Sequence, residues 1–478
     1  MHRKAHRRIF IVMKQWWRSL FFLFLIGPIL FSCRKEGFTD SPDARLRTGI
    51  DSLHFDTVFT TTGSVSGVIK IFNDNNKGIR VSSIRLGGGA ASPFKINVDG
   101  TPGPVVNNID IAADDSVYIF VTVTINPAAG NLPFVVRDSI AINYNGNTEY
   151  VQLDAYGQNA HFFRNRVIRT NEIWNNDLPY VILGGVTVDT TATLNINKGV
   201  KVFMHADAPF IVNGSLKVMG EGWDSTRVVF ASDRLDEPYR NYPAGYPGLI
   251  FTNTSRNNVL NYAIIKNAYQ GIVVAEQSVG TKLTLNETVI DNAYDAGLIG
   301  INTSITARNL LVSNCGKNLV LVKGGTYNFT HCTVATYSNA FIQHRDPVLF
   351  LANYLQQGVT APLTATFRNC IFWGEDNGIV ADEVVVAKQG NTAFNVVFDA
   401  VLWRVRNAPT AAGVTTAGIL NNQSPGFDSI NISGRFYNFR LKAASPAVNK
   451  GVTTGINLDL DGNGRPVGLP DLGAYERQ

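Results

Sequence analysis

The sequence predicts an all-β protein: a two-sheet sandwich followed by a solenoid of stacked parallel strands. Three observations carry that expectation. Only 17% of the 478 residues are charged while glycine numbers 43, and Asn, Thr and Val are abundant, a composition suited to short strands divided by tight turns. Between Asp51 and Asn159 apolar and polar residues alternate at period two, the signature of strands with one face in a core. Beyond His161 the apolar runs shorten and recur in phase, which is how a solenoid is written.

At the start of the chain, Arg3, Lys4, Arg7, Arg8, Lys14 and Arg18 precede an apolar run from Leu20 to Phe31. A basic segment followed by an apolar run too short to span a bilayer, which needs roughly 20 residues, reads as a signal peptide over residues 1–32. The segment Leu30-Phe31-Ser32-Cys33 resembles the lipobox of bacterial lipoproteins, with small Ser32 before the cysteine and Phe31 bulkier than that pattern favours. The resemblance implies a lipid on Cys33, a membrane partner through that anchor, and a place in the cell envelope, at the outer membrane or cell surface. Loss of residues 1–32 removes six cations and no anion, leaving 36 Lys and Arg against 37 Asp and Glu. A near-neutral chain has no basic footprint for nucleic acid. The other cysteines, Cys315, Cys332 and Cys370, show no CxxC or Cys/His spacing, so neither a disulfide framework nor a zinc site is expected.

Residues 33–50 are polar and aperiodic and read as a tether. From 51 to 160 the runs Gly67–Phe72, Val81–Leu86, Val105–Ile111, Ser116–Thr124, Asp138–Asn143 and Tyr150–Leu153 alternate between turn clusters such as Asn145-Gly146, as in a β-sandwich. The pattern resembles the immunoglobulin-like modules that precede repeat domains in Bacteroidetes surface proteins, and the expected role is a spacer.

In the range 161–478 the segments starting at Leu260, Leu285, Ala307, Phe329, Phe367 and Val397 align without gaps. Ile265, Ile290, Val312, Val334, Phe372 and Leu402 then fall in one column. A rung cannot bury its apolar face alone, so stacking must close the core. Asn292 and Asn314 fall at one corner, where their amides can form a ladder. Cys332 and Cys370 share an interior column with Ala263, Thr288, Leu310 and Ala400 and are expected to be inert. Asp189 to Phe203 and these rungs resemble the right-handed parallel β-helix of pectin-lyase-like proteins. The tail, about 444–478, with Asp459-Leu-Asp-Gly-Asn-Gly-Arg-Pro466 and Pro470-Asp-Leu-Gly-Ala-Tyr-Glu476, resembles the closing segment of bacterial β-helix repeat proteins, which implies a cap over the open end.

Asp459, Asp461, Asn463 and Gly464 have the D-x-D-x-N-G spacing of a calcium loop, with Asp471 beside the position where a bidentate acid belongs. Calcium is the only cofactor the sequence suggests, and a metal-free polar cap, in which Arg465, Asp471 and Glu476 pair to pin the tail, is the competing reading. Three stretches, Ala231–Pro247, Gln343–Pro362 and Arg404–Gln423, read as loops interrupting the rungs. Tyr239, Arg240, Tyr242 and Tyr246 in the first, with Trp373 and Trp403 at rung ends, are candidates for stacking on sugar rings; packing of loops onto the wall is the plainer alternative. Related β-helix enzymes cleave polysaccharides with a basic residue or with clustered carboxylates. Here Lys266, Arg308, Lys317, Lys323, His331, His344 and Arg345 form no constellation, and no catalytic residue is assigned. The expected role is binding or adhesion toward a polysaccharide or a surface protein, with a polysaccharide lyase or glycoside hydrolase acting in the groove as the alternative.

Overall fold

The computed structural model describes residues 37–59, 64, 66–125, 134–276 and 280–478, and these are all β, with no α-helix. None of the described elements is a helix long and apolar enough to cross a membrane. Cys33 and the run 1–32 lie outside the described residues. The chain forms two compact units, the first ending at Gly157 and the second running from Gln158 to Gln478.

The first unit holds two five-stranded sheets. One carries Gly67–Asn73, Asp115–Val123 and Phe94–Val98 at its centre, and the other Asn147–Gln158, Phe134–Tyr144 and Ile79–Leu86. Alternation does what the sequence said: along Asp115–Val123, Val117, Ile119, Val121 and Val123 enter the core while Tyr118 and Phe120 face out. Each such burial is worth about 1.5–3 kcal/mol. The expected tether is a correction. Residues 37–50 pack onto this unit, with Leu46 buried and its N–H donating to Tyr144 Oη at 3.1 Å. The Thr39 N–H donates to the Gly78 carbonyl at 2.9 Å, and the side-chain amides of Asn145 and Asn147 donate to the carbonyls of Ser41 and Pro42. A polar stretch looks like a linker in sequence because its one core residue, Leu46, sets up no period.

The second unit is a parallel β-helix formed by one 24-stranded sheet. Each full turn has three strands: Asn258–Asn261, Ala263–Lys266 and Gln270–Ala275 pair in parallel with Leu283–Asn286, Val289–Asp291 and Ala296–Arg308. Rungs about 4.8 Å apart put Ile265, Ile290, Val312 and Val334 one above another, all fully buried. The column continues through Phe372 to Trp403, not to Leu402, so the last aligned segment is shifted by one residue. Likewise Cys370 stacks on Val401, not on Ala400. The shift was invisible because Val401, Leu402 and Trp403 are all buried, on two different faces, and apolarity then sets no phase. The stretch Arg404–Gln423 is also no loop: it contains the final strands Val414–Ala417 and Leu420–Asn421.

The tail is a further correction. It does not plug the open end; it runs back along one flank. The Asn369 side chain exchanges two hydrogen bonds with the Val452 backbone (2.7 and 2.8 Å), His331 meets Thr454, Asn309 donates to the Leu458 carbonyl, and Arg227 donates to that of Leu460. These residues descend the helix rung by rung. Beneath the tail, Leu311, Ala335, Ile371 and Leu402 point outward and join Leu460, Leu472 and Ala474 in a separate apolar cluster. That apolar flank is what draws the tail sideways. Arg465 and Glu476, both fully buried, pair at 3.0 Å and lock it.

Candidate functional site

One corner of the β-helix carries the site. There Asn267, Asn292 and Asn314 take left-handed backbone angles (φ 64°, 55° and 51°), a conformation Asn tolerates better than most residues. The Asn292 amide donates to Asn267 Oδ1 at 2.8 Å, whereas Asn314 donates to Asp291 Oδ1, so the amide ladder joins Asn267 to Asn292 and the expected Asn292–Asn314 step is replaced by a bond to a carboxylate. The next residue on each rung, Ala268, Ala293 or Cys315, is buried. The one after that points out: Tyr269 and Tyr294, 47% and 49% exposed, stack with ring centroids 5.9 Å apart. On the third rung this position is Gly316, where a Cβ would lie 2.4 Å from the Tyr294 carbonyl oxygen. The tyrosine column therefore stops, and no side chain from position 316 covers Tyr294. Alongside runs a polar row on the same three rungs, Gln270 donating to Asp295 (2.7 Å) and Lys317 pairing with Asp295 (3.2 Å).

Longer loops flank these three short corners. The loop after Val228–Ser232 lies over the asparagine ladder, since the Asn267 and Asn292 amides donate to the carbonyls of Arg240 and Asn241. Its Tyr239 packs edge-on to Tyr242 at 5.1 Å, and Tyr242 meets Phe341 of the loop after Thr333–Thr336 at 4.4 Å. Arg234 stands 4.0 Å over Tyr239 and Arg435 5.2 Å over Phe341. Cation–π contacts of this kind stiffen the loops.

The six expected ligand-binding residues thus divide. Tyr239, Arg240 and Tyr242 share the flanking loop, where Arg240 is exposed and pairs with Glu237. Tyr246 is buried beneath it, its hydroxyl donating to the Phe230 carbonyl and its pKa pushed up by burial. Trp403 fills the interior column against Phe398, and Trp373 packs half-buried on the tail cluster. Buried rings have no free face for a ligand. Tyr269 and Tyr294 were missed, although Asn-Ala-Tyr stands at both 267–269 and 292–294 and signals an outward aromatic repeated at the rung period.

The calcium residues do not fit an ion. Asp459 accepts backbone N–H bonds from Asp461, Asn463 and Glu476. Asp471 accepts from Asn449 and Arg477, and Asp461 is paired with Arg440 at 2.7 Å. Among the described residues no three His, Cys, Asp or Glu side chains are placed to hold a metal. Each carboxylate already has donors, so the segment folds as a polar anchor for the tail, in which Arg465 pairs with Glu476 while Asp471 bonds backbone.

Five of the seven basic candidates are also engaged. Arg308 pairs with Glu287, Lys317 with Asp295 and Lys323 with Glu276. His331 is buried under the tail, and burial lowers its pKa to about 3. His344 lies fully buried 3.0 Å from Glu383, which also pairs with Arg404; burial raises Glu383 to about 7 and lowers His344. This trio ties the loop holding Phe341 to the rungs.

The molecule is thus a β-helix protein with a separate antiparallel β-unit. No protein-family model and no curated protein matches the chain. Among solved structures, 26% of it aligns with 26% of a family 123 glycoside hydrolase from Clostridium perfringens at 10% identity and TM-score 0.20. Another alignment pairs 27% with 92% of the ASH/PapD-like domain of human CEP192, at 11% identity and TM-score 0.17. A third pairs 78% with 91% of the catalytic unit of the GH87 alpha-1,3-glucanase from Streptomyces thermodiastaticus strain HF3-3, at 11% identity and TM-score 0.18. Likenesses this slight say nothing of what the chain binds or cleaves.

Proposed function

We propose that this chain is a lipid-anchored protein of the cell envelope, held at the outer membrane or cell surface through Cys33, that binds polysaccharide without cleaving it. The observation that carries the reading is the Tyr269–Tyr294 pair, half-exposed on consecutive rungs and left open at Gly316. Flat aromatic faces suit the apolar faces of sugar rings, and the Gln270, Asp295 and Lys317 row supplies hydrogen-bonding groups for hydroxyls. The loops carrying Tyr239 and Phe341 bound the site. A lyase or hydrolase would need a reachable base or acid pair, whereas His331, His344 and Glu383 are buried and Arg308, Lys317 and Lys323 are paired with carboxylates.

The test is a panel of neutral and anionic polysaccharides titrated against the full chain in detergent. Tyr294→Ala is expected to weaken the best ligand at least tenfold, about 1.4 kcal/mol. Unchanged affinity in that variant would sink the site, and unsaturated or reducing ends released from the polymer would overturn the non-catalytic role. Cys33→Ser should move the chain from the detergent phase to the aqueous phase; no movement would refute the anchor.

A further inference from the structure

The antiparallel unit, read in sequence as a spacer, carries an aromatic face of its own. Across the sheet built on Gly67–Asn73, Asp115–Val123 and Phe94–Val98, one outward row runs Val68, Phe120, Asn97 and Pro102. Lys70 stands beside Tyr118 in the row on one side, and Thr122 beside Lys95 in the row on the other. Tyr118 and Phe120 are each 43% exposed, and their rings lie 19° from parallel with centroids 6.3 Å apart. Lys70 Nζ sits 5.0 Å over the Tyr118 ring. Phe120, Pro102, Lys95, Asn97 and Thr122 line a groove of about 520 Å³, a volume typical of small-ligand sites.

Three features of this face select what it would take. Flat, half-exposed rings offer an apolar surface to the face of a sugar ring. Of the residues in these rows and along the groove, Lys70 and Lys95 are charged and none is acidic. Among the described residues neither lysine has a carboxylate partner, and Asp99, in the turn after Phe94–Val98, pairs with neither. At the tyrosine corner, by contrast, Lys317 is answered by Asp295. Unanswered cations beside the rings are complementary to an anion. Finally, Asn97 Oδ1 is shielded from solvent and has no hydrogen-bond donor, and a hydroxyl entering the groove would supply one. A sugar acid brings a flat ring, a carboxylate and hydroxyls together; an acidic peptide brings the charge without the hydroxylated ring.

We propose that this face is a second carbohydrate site, specific for uronate-type acidic sugars, in which one residue lays its ring on Phe120 and its carboxylate against Lys95. Lys70, beside Tyr118, receives another carboxylate of the same polymer. The proposal goes beyond the reading of the tyrosine corner and stands without it.

The experiment uses the full chain in detergent, carrying Tyr294→Ala so that the corner contributes nothing. Polygalacturonate should still bind, at least ten times more tightly than neutral galactan or polyglutamate. Adding Lys95→Glu or Phe120→Ala should weaken it at least a further tenfold, and Lys95→Glu should leave the unfolding midpoint unchanged because that side chain is exposed. Loss of polygalacturonate binding with Tyr294→Ala alone, equal affinity for galactan or polyglutamate, or binding that survives Lys95→Glu would each overturn the proposal. The corner is judged by Tyr294→Ala against the unsubstituted chain, so either reading can fail without the other.

Discussion

Along one flank of the β-helix, Leu311, Ile371 and Leu402 point outward and are sealed by the returning tail; at the Asn-Ala-Tyr corner, Tyr269 and Tyr294 point outward and stay half-exposed. Both are departures from the polar exterior expected of a solenoid. The first is resolved inside the molecule, by Leu460, Leu472 and Ala474. The second is left unresolved although loops stand on either side of it. Covered apolar surface serves stability, and an uncovered aromatic pair framed by braced loops is the surface on which the proposed binding role rests.

If that contrast holds, removing the lock on the covered flank should have the largest effect on stability. Glu476→Ala leaves Arg465 buried without its partner, which should cost about 3–5 kcal/mol in urea unfolding; a loss below 1 kcal/mol would show that the tail is not held there.

A smaller effect should come from His331, whose Nε2 lies 2.9 Å from the Asn369 amide and accepts from it when the ring is neutral. Its folded pKa of about 3 lies below the unfolded value of about 6.5. The stability tied to the neutral ring is therefore full above about pH 6.5 and is lost as pH falls toward 3. His331→Asn suits the left-handed backbone there (φ 54°), which Asn309 and Asn369 share on neighbouring rungs. That variant should keep more of its pH 7 unfolding midpoint at pH 5 than the parent chain; equal losses would place the sensitivity elsewhere.

At the open corner the pattern should invert. Tyr294→Ala, expected to weaken polysaccharide binding, should leave stability within about 0.5 kcal/mol, and a larger drop would make the tyrosines structural. Smallest of all, millimolar calcium should leave the midpoint unmoved, because the Asp459 and Asp471 oxygens already accept protein donors; a clear rise would restore the metal reading.

Much of this was legible in the residues. Period-two runs gave the sandwich strands, and the in-phase repeat gave the column from Ile265 to Val334 and the corner asparagines. Two kinds of feature were hidden. Where both faces of a strand are buried, as at Val401 to Trp403, apolarity no longer fixes register, and the last rung slipped by one residue. Long-range placement was the other: a tail resembling a closing segment does not say which surface it closes, and only the paired outward residues Leu311, Ile371 and Leu402 mark the flank. The sugar-stacking candidates were chosen by residue type, which cannot tell the interior Trp403 from the exterior Tyr294, whereas the repeated Asn-Ala-Tyr could.

The tail also changes how the solenoid behaves as a polymer. Repeat arrays ordinarily hold together through contacts between adjacent units and can fray one unit at a time. Here Arg227 and Leu460, 233 residues apart in sequence, share a hydrogen bond, and the same strap touches Asn309, His331 and Asn369 on separate turns. Early and late rungs are thereby coupled beyond nearest neighbours, and residues that follow the final rung in sequence are the ones that complete the coupling.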